Sequence, residues 1–285
     1  MSLSRRTLLA ASATFLAGSA QTKDLPVLAD YEQKTSGRIG VYAENLKTGT
    51  KFAWRASERF VMCSTFKASL AACTLARVDR GEENLDRMIS YGPEDLQDFY
   101  APVAKQNLAR ARMSVAEMCE AAVELSDNAC ANLLLASVGG PDRLTSFWRS
   151  IGDMTSRLDH NEPVLNRSKP GDPQDTTTPI AMAGNLRRFL LGDVLSAQSC
   201  ARLLSWMIAC KTGANRLRGG LPADWKIADK TGNNGVDAAG DIAMVWPAPD
   251  VPLAICVYTQ GGAPSSAQLE SVFGGLGRAV AEMLA

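Results

Sequence analysis

The sequence predicts an α+β fold: a five-stranded antiparallel sheet flanked by helices, its strands drawn from both ends of the chain, with an all-helical lobe inserted between them. Three observations carry this. Strand signals appear near the start, as apolar–polar alternation, and again near the end, as stretches separated by Gly, Asn and Pro; helix start and stop signals fill the middle, and one long aperiodic segment interrupts the helices.

Taken in order, Arg38–Leu46 alternates, turns at Lys47-Thr48-Gly49 and resumes at Lys51–Trp54, which reads as a β-hairpin. Ser64 opens a helix that runs through Ala68–Val78 and stops at Gly81. Ser114-Val115-Ala116-Glu117 is a capping box for a helix through Leu125. Gly140-Pro141 starts another, with Pro in its first turn and Gly152 after its last, and Thr178-Pro179 starts a third. Three strand-like stretches follow, Trp225–Thr231, Ala238–Trp246 and Leu253–Thr259, separated by Gly, Asn and Pro. Leu269, Val272, Phe273, Leu276, Val280 and Leu284 then repeat at helical spacing. The sheet lobe accordingly takes about residues 21–60 and 211–285 and the helical lobe about 61–210. Together they form one domain, 21–285, with an active site expected between the lobes. Leu158–Thr177 fits no element: it carries Pro163, Pro170, Pro173 and Gly171 among the acids Asp159, Glu162, Asp172 and Asp175. A loop of that length inside a compact domain points to function.

Composition narrows the partners. The 285 residues hold 30 Lys+Arg against 30 Asp+Glu, so no basic excess points to nucleic acid, and a small molecule held in a pocket is the expected ligand. Arg5-Arg6, a short apolar run to Ala17 and Gly18-Ser19-Ala20 read as a cleaved signal peptide over residues 1–20, of the twin-arginine type. Its apolar stretch is too short to span a bilayer and no cysteine follows it, so the expectation is a periplasmic or secreted monomer without a membrane anchor. There are seven cysteines, none in a CxxC pair, and they are expected to be buried free thiols. His160 is the only histidine, so neither a Ser-His-Asp triad with a nucleophile elbow nor a zinc centre is supported, and the base should be Lys or a carboxylate. No metal or cofactor is expected.

Three short motifs bear on that base. Ser64-Thr65-Phe66-Lys67 places a serine and a lysine one turn apart on one helix face, where the positive helix end disfavours a protonated amine. Such a lysine suits the activation of a serine. Ser126-Asp127-Asn128 follows the capped helix, and Lys230-Thr231-Gly232 ends a predicted strand. Each is weak alone. Together, in this order, they resemble the active-site serine β-lactamases and penicillin-binding proteins.

Within that superfamily, Arg157-Leu158-Asp159-His160-Asn161-Glu162-Pro163-Val164-Leu165-Asn166 is similar to the class A omega loop, which closes through Asp172 and Asp175-Thr176-Thr177. Tyr100 before Ala101-Pro102-Val103 and the strand Asp241–Pro247 match as well. The resemblance implies hydrolysis of a β-lactam through a Ser64 acyl-enzyme. It implies Lys67 or Glu162 as acylation base, Ser126 as proton relay to the lactam nitrogen, Lys230 as local positive charge, and Glu162 with Asn166 activating the deacylating water. The backbone N–H groups of Ser64 and Asn233 would form the oxyanion hole. Tyr100, Asn128, Arg216, Thr231, Gly232 and Asn233 would hold the substrate. A cis Glu162-Pro163 bond is also implied. A D-Ala-D-Ala carboxypeptidase and a silent β-lactam sensor are the alternatives, and neither calls for Glu162.

Two departures stand out. His160 occupies the place of an arginine that pairs in relatives with the aspartate matching Asp175, so either the loop is less firmly tethered or hydrogen bonds from His160 restore the anchor. Cys63 and Cys119 match halves of family disulfides whose partner positions here are Asn234 and Ala71. No disulfide is therefore expected.

Overall fold

The computed structural model describes residues 25–96, 100–167, 169 and 171–285; the predicted signal peptide lies outside the described residues. The hairpin forms as β1 (Arg38–Asn45) and β2 (Lys51–Trp54). Segments β3 (Phe60–Val61), β4 (Met88–Ser90), β5 (Arg112–Ser114) and β6 (Thr176–Thr177) are short, and the late strands are β7 (Lys226–Asn233), β8 (Ala238–Ala248) and β9 (Val251–Gln260). The main sheet has five strands in the order β2-β1-β9-β8-β7, every neighbouring pair antiparallel. The C-terminal β9 thus lies between an N-terminal strand and β8, as strands from both ends require.

The helices are α1 (Pro26–Thr35), α2 (Phe66–Asp79), α3 (Pro102–Gln106), α4 (Val115–Glu124), α5 (Asn128–Val138), α6 (Pro141–Ser150), α7 (Pro179–Leu191), α8 (Ala197–Ile208) and α9 (Ser266–Leu284). The Ser114 capping box forms as predicted, Ser114 Oγ accepting from Glu117 N at 3.2 Å and Glu117 Oε2 from Ser114 N at 2.7 Å. The sequence reading assigns neither α1 nor α8. Pro26 in the first turn and a left-handed Ser36 bound α1, and Ser196 caps α8 through Ser199 N.

Strand alternation sorts the core into two layers. Leu253, Ile255 and Val257 of β9 join Ile39, Val41, Leu276 and Val280 on the face covered by α1 and α9. Ala254, Cys256 and Tyr258 face the other way, into a larger core with Phe66, Leu70, Leu134 and Trp148 from the helical lobe. A fully buried Val/Leu/Ile side chain contributes roughly 1.5–3 kcal/mol, so both layers hold the sheet firmly. Helix α7, inside the predicted helical segment, also packs on this sheet face.

One row of that face is unusual. Gly232, Gly240, Tyr258 and Gly40 are register partners on β7, β8, β9 and β1. Three glycines in a row leave a shallow trench, and the segment from Phe60 to Thr65 lies in it. A Cβ at Gly40 would come within 2.4 Å of the Phe60 ring, and one at Gly232 within 2.8 Å of Met62 O. The trench brings the Ser64 turn against the sheet and so fixes where the two lobes meet.

Candidate active site

The site starts from the turn in the trench. Cys63–Thr65 form one turn of 3₁₀ helix before α2, and Cys63 takes a left-handed φ of 43°. Ser64 therefore precedes α2, and Lys67, in the first turn of α2, is wholly buried. Its Nζ donates to Ser126 O at 2.9 Å and to Asn128 Oδ1, and lies 3.2 Å from Glu162 Oε1. Burial pushes the ammonium below its ordinary range, opposed by the Glu162 carboxylate. The direction agrees with the sequence expectation, but burial is the leading cause.

The Ser126-Asp127-Asn128 turn is built by its aspartate. Asp127 Oδ1 accepts from Cys130 N at 2.9 Å, capping α5, while Oδ2 accepts from Val103 N at 2.9 Å and Ala104 N at 3.0 Å at the start of α3. One carboxylate thus caps two helices and draws Tyr100, whose carbonyl accepts from Asn128 N at 2.9 Å, beside the turn. Ser126 is left-handed, with φ 58°. Its Oγ accepts from Lys230 Nζ at 3.1 Å and lies 3.4 Å from Lys67 Nζ. Lys230, also wholly buried, is pushed down to about 8 by burial first, with Lys67 acting in the same direction.

Glu162 reaches the site from the 158–177 loop. Ser64 Oγ donates to Glu162 Oε1 at 3.3 Å, and Asn166 Nδ2 donates to Oε2 at 2.5 Å. The Glu162-Pro163 peptide is cis. The Glu162 backbone is held at both ends by one side chain: its N donates to Asn132 Oδ1 and its O accepts from Asn132 Nδ2, each at 3.0 Å. Asn132 lies one turn beyond Asn128 on α5, so a single helix face holds Lys67 and the loop together.

On the opposite side, a Cβ at Gly232 would stand 3.0 Å from Ser64 N, so only glycine lets β7 run this close to the turn. Thr231 Oγ1 and Thr212 Oγ1 are 2.5 Å apart. Leu217 N donates to Asp241 Oδ2 at 3.0 Å and Arg218 pairs with Asp229, which anchors the segment carrying Arg216. The Arg216 guanidinium lies 4.7 Å over the Phe273 ring, and its buried Nη1 has no hydrogen-bond partner among the described residues.

These groups surround one cleft of about 280 Å³, lined by Ser64, Tyr100, Ser126, Asn128, Glu162, Asn166, Thr212, Arg216, Thr231, Gly232 and Asn233. Every sequence-predicted residue lines it except Lys67 and Lys230, which lie behind its wall. A larger cavity of about 630 Å³, among Arg38, Glu58, Arg59 and Asp172, contains none of them. The chain matches the beta-lactamase enzyme family over residues 23–284. It belongs to that family.

The solved structures it is similar to include class A enzymes. An ancestral class A β-lactamase superposes with a TM-score of 0.86 at 52% identity, covering 90% of this chain and 97% of that one. A β-lactamase from Xanthomonas campestris pv. campestris gives 0.88 at 42% identity, covering 91% and 97%. This is a class A serine β-lactamase with the predicted α+β fold.

Sequence reasoning about this β-lactamase misses Asn132, Thr212 and Asn234 as site residues. Asn234 Oδ1 accepts from the backbone N–H groups of Val236, Asp237 and Ala238, and its Nδ2 lies 3.3 Å from Asn166 O. It ties the β7–β8 turn to the Glu162 loop. All seven cysteines are free, and the Cys63 thiol is directed at Ala238 O, 3.9 Å away.

The loop is tethered through His160. Its Nδ1 lies 2.7 Å from Asp175 Oδ2, while Asp175 Oδ1 accepts from Asp159 N at 2.7 Å and His160 N at 3.0 Å. Asp175 O in turn accepts from Met62 N at 3.1 Å, two residues before Ser64. Of the two readings of His160, the structure has the one in which its hydrogen bonds restore the anchor. Hydrogen exchange at the Asp159 and His160 amides should therefore be equal in His160→Arg and the parent and faster in His160→Ala. Equal protection in all three variants would show that the imidazole contributes no tether.

Proposed function

We propose that this β-lactamase opens the β-lactam amide with Ser64 Oγ and frees the product with a water activated by Glu162. The observation that carries the reading is Glu162 Oε1, which stands 3.3 Å from Ser64 Oγ and 3.2 Å from Lys67 Nζ. As Ser64 Oγ bonds to the carbonyl carbon, its proton passes to Glu162, and the oxyanion sits on the backbone N–H groups of Ser64 and Asn233. Collapse breaks the C–N bond. Ser126, fed by the two buried lysines, gives the leaving nitrogen its proton. Lys230, Thr231 and the unpartnered Nη1 of Arg216 hold the substrate carboxylate, while Asn128 and Tyr100 border its side chain. Glu162 passes its proton to Lys67 Nζ, 3.2 Å away, which restores both groups. With Asn166 it then orients water onto the ester, takes one water proton and delivers it to Ser64 Oγ as the ester C–O bond breaks, leaving the product acid. The 158–177 segment is read as the omega loop.

A penicillin-binding protein would share Ser64, Lys67 and Lys230 and would have no use for a carboxylate held this close to the ester. In Glu162→Ala the main opposition to burial is gone, which lowers the Lys67 amine further and favours it as the acylation base. The variant should acylate with a penicillin and then stall, deacylation falling by about 10²–10⁴-fold. Mass spectrometry would show the adduct on Ser64; fast turnover with no adduct sinks the role.

Lys230 sets the alkaline side of the pH profile. A group pushed down to about 8 is charged below that pH and loses its proton above it. The grip on the substrate carboxylate weakens accordingly, and kcat/KM should fall as pH rises through about 8. Lys230→Arg, whose guanidinium stays charged, should move that limb to higher pH. A limb that does not move assigns it to another group.

We propose further that the chain is exported as an unanchored monomer. Arg5-Arg6 and the apolar run support export, and among the described residues no helix is long and apolar enough to cross a membrane. Amino-terminal sequencing of the chain from the periplasm or medium should begin at Gln21; an intact Met1 there would refute cleavage.

A further inference from the structure

The trench that seats the Ser64 turn contains one large side chain, Tyr258, fully buried between its register partners Gly40 and Gly240. A Cβ at Gly240 would fall 2.7 Å from the Tyr258 ring and 3.3 Å from Thr65 Cγ2, and Phe60 stacks on the ring at 6.3 Å between centroids. The row is thus shaped to admit this ring and to bring its hydroxyl to one place. That place is Thr65, with Tyr258 Oη and Thr65 Oγ1 2.9 Å apart.

The direction of this bond follows from counting protons. Thr65 Oγ1 donates its single proton to Met62 O at 2.7 Å, so in the bond with Tyr258 it can only accept. Tyr258 is the donor. Burial raises its phenol well above the ordinary range, so that proton is always present. Met62 O also accepts from Thr65 N at 3.2 Å. The two bonds from Thr65 close the turn around Cys63, whose φ of 43° is left-handed for a side-chain-bearing residue, and around Ser64. Strain of this kind persists only where surrounding contacts hold it.

We infer that Tyr258 is a positioning residue for the nucleophile: donating to Thr65, it fixes the turn that aims Ser64 Oγ and the Ser64 N–H into the cleft. The inference rests on the reading of Ser64 as nucleophile. Tyr258 touches neither substrate nor reacting atom; it acts through Thr65. Its loss should weaken whatever resembles the tetrahedral intermediate, because the Ser64 N–H is one of two proposed oxyanion donors.

The test measures kcat/KM and affinity for a boronic acid, which forms a tetrahedral adduct on a serine, in Tyr258→Phe, Thr65→Val and Thr65→Ser. Val280→Ala, in the core on the far face of the sheet, serves as the control for lost stability. Tyr258→Phe should lose about three- to tenfold in kcat/KM, the scale of one neutral hydrogen bond, and Thr65→Val, which removes both hydroxyl bonds, at least as much, with boronate affinity falling in step. Thr65→Ser, which keeps the hydroxyl, should stay within about twofold of the parent by the same reasoning. If Tyr258→Phe does not fold, Thr65→Val against Thr65→Ser reads the same chain of bonds. Parental kcat/KM and boronate affinity in both deletions, with melting lowered as in Val280→Ala, would reduce Tyr258 to a packing residue and overturn the inference. A parent that forms no boronate adduct on Ser64 would instead overturn the nucleophile assignment.

Discussion

Lys67 and Lys230 are both fully buried and both bond to Ser126. Each buried ion costs several kcal/mol in lost hydration unless acceptors replace the water, and two ammonium groups around one hydroxyl repel. Most of the remaining architecture supplies those acceptors. Asn128 and the Ser126 carbonyl serve Lys67, the Thr231 carbonyl serves Lys230, and Glu162 brings a carboxylate within 3.2 Å of Lys67. The 158–177 loop must therefore fold inward, and Asn132 fastens it at the residue that matters. The same burial that makes the lysines costly holds both below their ordinary range, so each gives up its proton more readily than a solvated amine.

Among the described residues, three of the six left-handed non-glycine residues lie at the same place. Cys63, Ser126 and Asp175 are left-handed residues with side chains, lying beside the nucleophile, within the Ser126-Asp127-Asn128 turn and at the end of the loop. Each such conformation costs about 1–3 kcal/mol and persists only when over-determined by neighbours. The neighbours are visible: Thr65 closes the turn on Cys63, Asp127 caps two helices beside Ser126, and Asp175 is bonded at both carboxylate oxygens and through its carbonyl to Met62. Met62 links the loop to the nucleophile turn, so loop and serine are set by one connected group of bonds.

The sequence shows this unevenly, for physical reasons. The hairpin is legible because its first strand alternates, and the late strands because, covered on both faces, they read as apolar stretches bounded by Gly, Asn and Pro. Helix α1 buries only Leu28, Tyr31 and Thr35, too thin a stripe to read. Ser64, Lys67, Ser126 and Lys230 are legible because their chemistry fixes local spacing. Asn132 and Asn234 are not, since their partners lie 30 and 68 residues away and an asparagine announces nothing until the chain has folded. The depressed basicity of Lys67 is foreseen for a lesser reason: the sequence shows a helix end, whereas only the structure shows how completely the lysine is enclosed.

His160 is where local chemistry and tertiary context divide the work. A guanidinium would grip Asp175 through two parallel bonds, and an imidazole offers one ring nitrogen. The loop recovers the difference from its own backbone, since the Asp159 and His160 amides fill the other carboxylate oxygen and Arg157 pairs with Asp159 alongside. The Asp159 carboxylate completes the exchange by accepting from Asp175 N at 3.0 Å. Asp175 is consequently satisfied without the arginine, and the substitution changes how much of the tether resides in a single side chain. With fewer bonds vested in residue 160, the position of Glu162 depends correspondingly more on Asn132 and Asn166, which hold it directly.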